Sequence, residues 1–184
     1  LLFKLYSDAG SFNNGYKDPD LPCFSACAVV IATEDYKILK EGSRLFPDKT
    51  ISYSELKAAL LALDLLKKRI IDRFVLEKPI QIELYSDSQF VISGLTKWLD
   101  GWCNRCKGDW RTDVWYNSTG NEVAHYELFR EIKLNYIDNP DYDIKFFHIK
   151  GHTKNKDFNS QMNDLCDRLC TKKLNEHKKL LNLK

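Results

Sequence analysis

The chain has 184 residues, 43% hydrophobic and 29% charged, which suits one globular domain with a sizeable core and excludes a disordered or membrane-spanning chain. Lys and Arg number 28 against 26 Asp and Glu, a formal net charge of +2, so no global positive field attracts nucleic acid and any such attraction must come from local clusters. No apolar run reaches membrane length and the start lacks the layout of a signal peptide, so an intracellular protein with six reduced cysteines is expected, cytoplasmic or, in a eukaryote, nuclear.

Residues 1–8, 24–33 and 36–46 are rich in β-formers and predict three opening strands, with a surface loop over 10–22 marked by Asn13-Asn14-Gly15. Leu56, Leu60, Leu63, Leu66 and Ile70 recur at helical spacing and predict a helix over 52–71. A strand over 80–85 and a helix over 88–99 follow, an order that predicts a parallel crossover. Next, Trp98, Trp102, Trp110 and Trp115 alternate with Lys97, Arg105, Lys107 and Arg111. A helix over 122–137, a strand over 143–149 and a last helix over 161–181 complete the pattern. The last fourteen residues carry five lysines against one glutamate, either a solvated helix face or extra phosphate affinity.

Two β-rich runs end alike, Leu5-Tyr6-Ser7-Asp8 and Leu84-Tyr85-Ser86-Asp87. If those strands are parallel neighbours, both aspartates emerge at the carboxyl edge where open α/β sheets bind ligands. Strands about 4.8 Å apart and Mg²⁺–oxygen distances of about 2.1 Å let such carboxylates share an ion. Each also has a structural reading: Asp87 can cap the next helix and Asp8 can stabilise a turn. Ser52-Tyr53-Ser54-Glu55 matches a capping box in which Glu55 reaches back to Ser52. Asp164 and Asp167 suit the start of a helix through its dipole.

Taken in order, Tyr6-Ser7-Asp8, Ser54-Glu55-Leu56, Tyr85-Ser86-Asp87-Ser88-Gln89, Thr96-Lys97-Trp98-Leu99, Lys150-Gly151-His152 and Asn163-Asp164-Leu165-Cys166-Asp167 resemble type 1 ribonuclease H, whether cellular, phage or reverse-transcriptase-associated. The resemblance covers nearly the whole chain. It implies an α/β ribonuclease H-like fold: a five-stranded mixed sheet, its first three strands antiparallel and its last two parallel to the first, with helices on both faces. The activity implied is endonucleolytic hydrolysis of the RNA strand of an RNA/DNA hybrid, leaving 3′-hydroxyl and 5′-phosphate ends. By likeness Asp8, Glu55, Asp87 and Asp167 hold two Mg²⁺ ions, for which Mn²⁺ can substitute. Asp8 would bridge both, Asp167 would serve the water-activating ion, and Glu55 with Asp87 the leaving-group ion. His152 is the auxiliary residue, suited to proton handling or product release rather than to Mg²⁺ ligation. The run Asn-x-x-x-Asp favours Asp167 over Asp164 as the fourth carboxylate.

The likeness also marks substrate-facing positions: Gly10, Ser11 and Asn13 beside Asp8, Ser54 beside Glu55, Gln89 near the RNA groove, Asn163, and Thr50 with His125 at a DNA-phosphate pocket. In that pocket Asp48 stands where some relatives carry a basic residue. Lys97, Trp98, Arg105, Lys107 and Arg111 fall where a basic protrusion grips the DNA strand, although Trp98 and Trp102, spaced i to i+4, equally suit core packing. Cys103-Asn104-Arg105-Cys106 has the spacing of half a zinc site without a second pair, which favours plain thiols. One catalytic domain over 1–184, monomeric unless part of a reverse transcriptase, with no hybrid-binding domain ahead of it and no small-molecule cofactor, completes the expectation. The competing readings are a catalytically silent hybrid-binding module and another nuclease or integrase of the same fold.

Overall fold

β1 (Leu2–Phe12), β2 (Phe24–Thr33), whose small and branched residues are buried on both faces, and β3 (Ile38–Pro47) form an antiparallel set, seen in a computed structural model that describes residues 1–150 and 157–183. β4 (Ile80–Ser86) runs parallel to β1, and β5 (Tyr142–His148) runs parallel to β4. The strand order is β3-β2-β1-β4-β5 in one five-stranded sheet. β1 runs past the expected 1–8 because Ala9 to Phe12 pair with Cys27 to Phe24. The loop therefore starts after Phe12.

On one face lies α1 (Ile51–Arg69), whose Leu56, Leu60, Leu63 and Leu66 are fully buried against Phe3, Leu5, Val29 and Ile31. Each buried leucine contributes roughly 1.5–3 kcal/mol of transfer free energy. Lys67, Lys68 and Arg69 in the last turn suit the negative end of the helix dipole. α1 is capped by Thr50, which accepts from the Tyr53 amide at 3.5 Å. The capping box expected at Ser52 is therefore absent, and Glu55 is released for another partner.

On the opposite face α5 (Phe158–Leu180) lays a stripe of Met162, Cys166 and Cys170 on Tyr6, Ala28, Val30 and Ala32. It begins three residues earlier than expected because Asp157 caps it, accepting from the Ser160 amide at 2.8 Å. The alanines of β2 permit a close approach, and so does Gly10: a Cβ there would come 3.0 Å from Leu174 Cδ1. Near its end, α5 sets the His177 ring edge-on to Phe24 and Lys178 Nζ 4.8 Å from the Phe12 ring centre. Residues 172–180 are thus helix, packed on the β1–β2 hairpin.

Between β4 and β5 the expected helix over 88–99 extends through α2 (Gln89–Ser93), a wide π-turn at Gly94–Trp98 and α3 (Leu99–Asn104). The Phe129 ring lies where a Cβ on Gly94 would stand, which keeps that position glycine. The helix expected over 122–137 starts only at Tyr126, as α4 (Tyr126–Ile132) with a π-turn at Lys133–Ile137. The reason is His125, whose φ of 60° and ψ of 30° are left-handed and cannot continue a helix. Before it, Tyr116 bridges to Glu122 across a short turn.

Candidate active site

Parallel pairing of β1 with β4 sets Ser7 opposite Ser86, so Asp8, midway along β1, lies beside the carboxyl end of β4, where Asp87 follows. Asp8 is 8% exposed, and its carboxyl is pushed up to about 7. Burial is the largest cause; the charge of Asp87, then those of Asp167 and Glu55, raise it further, against one lowering hydrogen bond from the Ala9 amide at 2.7 Å. Four carboxylates from β1, α1, the β4–α2 turn and α5 therefore share one electrostatic neighbourhood. Asp167 is half-buried and acts on Asp8, whereas Asp164 is exposed.

Each of three carboxylates is held by a specific donor. Glu55 accepts from Ser88 Oγ at 2.7 Å. Burial raises the Glu55 carboxyl, the Ser88 bond opposes this, and the charge of Asp87 adds to it. Ser88 also caps α2, which frees Asp87 from the capping role open to it in the sequence. Asn163 Nδ2 donates to Asp87 Oδ2 at 3.5 Å, while the buried Asn163 Oδ1 has no partner among the described residues. His148 Nε2 lies 3.1 Å from the Asp87 carbonyl oxygen.

As they stand, no three acidic, histidine or cysteine side chains among the described residues are gathered tightly enough to hold an ion. The donor set nonetheless fits magnesium: the carboxylates offer oxygen only, and the buried, mutually raised Asp8 is a charge that a cation would relieve.

The other expected positions divide. His152 lies outside the described residues. Ser54 is fully buried with its hydroxyl 2.5 Å from that of Ser25. Its side chain belongs to the packing of α1 on β2. Asn13 closes its own loop, donating to the carbonyls of Asp18 and Leu21, both at 2.7 Å. Gly10 faces Leu174, and Ser11 pairs with Ser25 near the end of β1. The exposed Gln89 donates to Ser93 Oγ at 2.6 Å.

Thr50 and His125 are brought together through Ser52, which lies 3.2 Å from Thr50 Oγ1 and 3.4 Å from His125 Nε2. Burial lowers the His125 pKa; Glu127 opposes this and Lys49 adds to it. Asp48 is engaged by the Tyr16 hydroxyl at 2.9 Å. Lys97, Trp98 and Arg105 line a cavity of about 490 Å³ with Phe90, Trp102 and Asn117. Lys107 sits over Tyr116, and Arg111 lies over Trp110 beside Asp109. The tryptophan series splits: Trp98 is 42% exposed, but Trp102 and Trp115 are core. Trp115 donates its indole N–H to the Trp110 carbonyl at 2.8 Å.

All six cysteines are free. Burial raises the Cys166 and Cys170 thiols, and the charge of Asp8 adds to this. Cys170 donates to the Asp8 carbonyl at 3.4 Å. Ser88, His148 and Cys170 are the site neighbours that sequence reasoning missed. Ser88 alone had a signal, as the hydroxyl opening a helix directly after an aspartate.

The family model described as RNase H matches residues 3–175. The chain is 31% identical over 173 residues to the ribonuclease H of Clostridium botulinum, covering 94% of this chain and 95% of that one. It is 30% identical to that of Acetivibrio thermocellus, covering 76% and 78%. Among solved structures, the PFV RNase H domain superposes with a TM-score of 0.66 at 22% identity, covering 92% of both chains. LC11-RNase H1, solved in complex with an RNA/DNA hybrid, does so with 0.57 at 20%, covering 94% of this chain and 99% of that one. With a carboxylate-rich sheet edge in a strand order and orientation shared with these folds, the chain belongs to the ribonuclease H family of hydrolases.

Proposed function

We propose that the protein cuts the RNA strand of RNA/DNA hybrids endonucleolytically, leaving 3′-hydroxyl and 5′-phosphate ends. The observation that carries this reading is the β1–β4 register that sets Asp8 beside Asp87, with Ser88 tying Glu55 and Asn163 of α5 tying Asp87 to the same turn. Family membership and the hybrid bound to LC11-RNase H1 support the substrate class.

Two Mg²⁺ ions, or Mn²⁺ in their place, would supply water activation on one side of the phosphodiester and charge stabilisation at the departing oxygen on the other. Asp8 would bridge the pair from the sheet edge. Asp167 would hold the water side, and Glu55 with Asp87 the leaving-group side. His152 is proposed to handle the proton or to ease product release. Lys97, Arg105, Lys107 and Arg111 would meet backbone phosphates of the DNA strand, with Trp98 against its sugars, and Thr50 with His125 would take one further phosphate. Discrimination of RNA rests on the 2′-hydroxyl, read by groups near Asp8 and Glu55. Six free thiols and a hybrid substrate suit an intracellular setting.

The test compares cleavage of an RNA/DNA hybrid, double-stranded RNA and double-stranded DNA with and without Mg²⁺. Cutting of the RNA strand of the hybrid, dependent on the metal, is expected. Tight hybrid binding without cutting would identify a silent module, and cutting of double-stranded DNA would identify another nuclease.

A further inference from the structure

Asp87 is gripped from two sides. On the main-chain side, His148 at the end of β5 brings Nε2 to 3.1 Å from the Asp87 carbonyl oxygen. A carbonyl only accepts, so Nε2 carries the proton and donates. On the side-chain side, Asn163 of α5 brings Nδ2 to 3.5 Å from Asp87 Oδ2. The reverse orientation of that amide would set two oxygens against each other, so the carboxylate itself fixes which end of Asn163 faces it. Asp87 needs such support because it follows the last residue of β4 and precedes the cap of α2, where no ladder partner among the described residues holds it.

We infer that His148 is a positioning residue for the reaction proposed above: its hydrogen bond fixes the Asp87 peptide, and with Asn163 it aims the Asp87 carboxylate at the position shared with Asp8. Backbone pairing alone carries β5 up to this point, with Ser86 opposite His148 and the Ile149 amide donating to the Ser86 carbonyl at 3.0 Å. The imidazole extends that ladder by one bond to the residue the strands no longer reach. A misaimed ligand costs rate far more than it costs substrate affinity, because substrate is held elsewhere along the duplex.

The experiment uses the full chain with His148→Phe, which keeps a ring and loses the donor, and His148→Gln, which restores a donor. Three readouts are taken on the same samples: Mn²⁺ affinity by calorimetry, kcat and KM on a hybrid, and the carboxyl carbon shift of Asp87 by NMR. For His148→Phe the expectation is a loss of roughly tenfold in kcat and in Mn²⁺ affinity, with KM changed less than about twofold, and a displaced Asp87 signal. His148→Gln should recover most of each. An unmoved Asp87 signal with parental Mn²⁺ affinity would overturn the inference, as would a raised KM at unchanged kcat or a Gln variant as impaired as Phe. If the parent itself fails to cut hybrid, the proposed function falls, and the Asp87 signal still decides the positioning role.

Discussion

Ser88 Oγ donates to Glu55 Oε2 at 2.7 Å and, with the same oxygen, accepts from the Val91 amide at 3.4 Å. One hydroxyl thus caps α2 and ties α1 to the turn that carries Asp87. Ser88→Ala should cost about 1 kcal/mol through the lost cap. It should also raise the Glu55 pKa further, since the lost bond favoured the ionised form. Chemical denaturation reads the first effect, and an upward move of the acid limb of the pH–rate profile reads the second.

Asp8 makes metal-free stability depend on pH. Its carboxyl rises from 3.8 unfolded to about 7 folded, so between those values the native state binds more protons than the unfolded chain. Stability of the metal-free protein should therefore fall as pH rises from about 4 to 7, and stay low above that. Asp8→Asn should stabilise the metal-free protein at pH 8 by on the order of 1–3 kcal/mol. Added Mg²⁺ should stabilise the parent and have little effect on Asp8→Asn. Thermal melts across pH with and without Mg²⁺ check both.

Gly10 and Leu174 form a matched pair, with 3.0 Å between the Leu174 Cδ1 and the place of a Cβ on Gly10. Gly10→Val should destabilise by about 1–3 kcal/mol as α5 is pushed off β1. Gly10→Ala should cost less, because the end of a leucine can give way. Adding Leu174→Ala should relieve part of the valine's penalty, a non-additivity that a double-mutant cycle detects.

Much of this arrangement was legible in the sequence, and its gaps have physical causes. α1 could be read because Leu56, Leu60, Leu63 and Leu66 are all core and repeat at the helical period. The five-strand order followed from a motif series spread along the chain. The start of α4 could not be read, because nothing local announces that His125 adopts a left-handed backbone. Glu55 taken alone reads as the far end of a capping box at Ser52, but the cap of α1 is Thr50, two positions earlier. Ser54 and Asn13 matched family positions, yet their polar atoms are used within the fold, by Ser25 and by the 13–22 loop.

The cations of the α3 region should show in the salt dependence of binding. Lys97 and Arg105 are exposed and line one cavity. Replacing either by Ala should weaken hybrid binding and reduce the slope of log affinity against log salt by about 0.9 or less. Trp98→Ala should weaken binding with little change in slope, whereas Trp115→Ala should unfold the region it anchors. Fluorescence-anisotropy titrations at several salt concentrations separate these outcomes.

The most direct measurement is the rate at which Asp87→Asn cuts the RNA strand of a hybrid at saturating Mg²⁺, beside the parent, with circular dichroism and melting on both. A folded variant slowed by at least about a thousandfold is the predicted result. A folded variant cutting at the parental rate would contradict the carboxylate site.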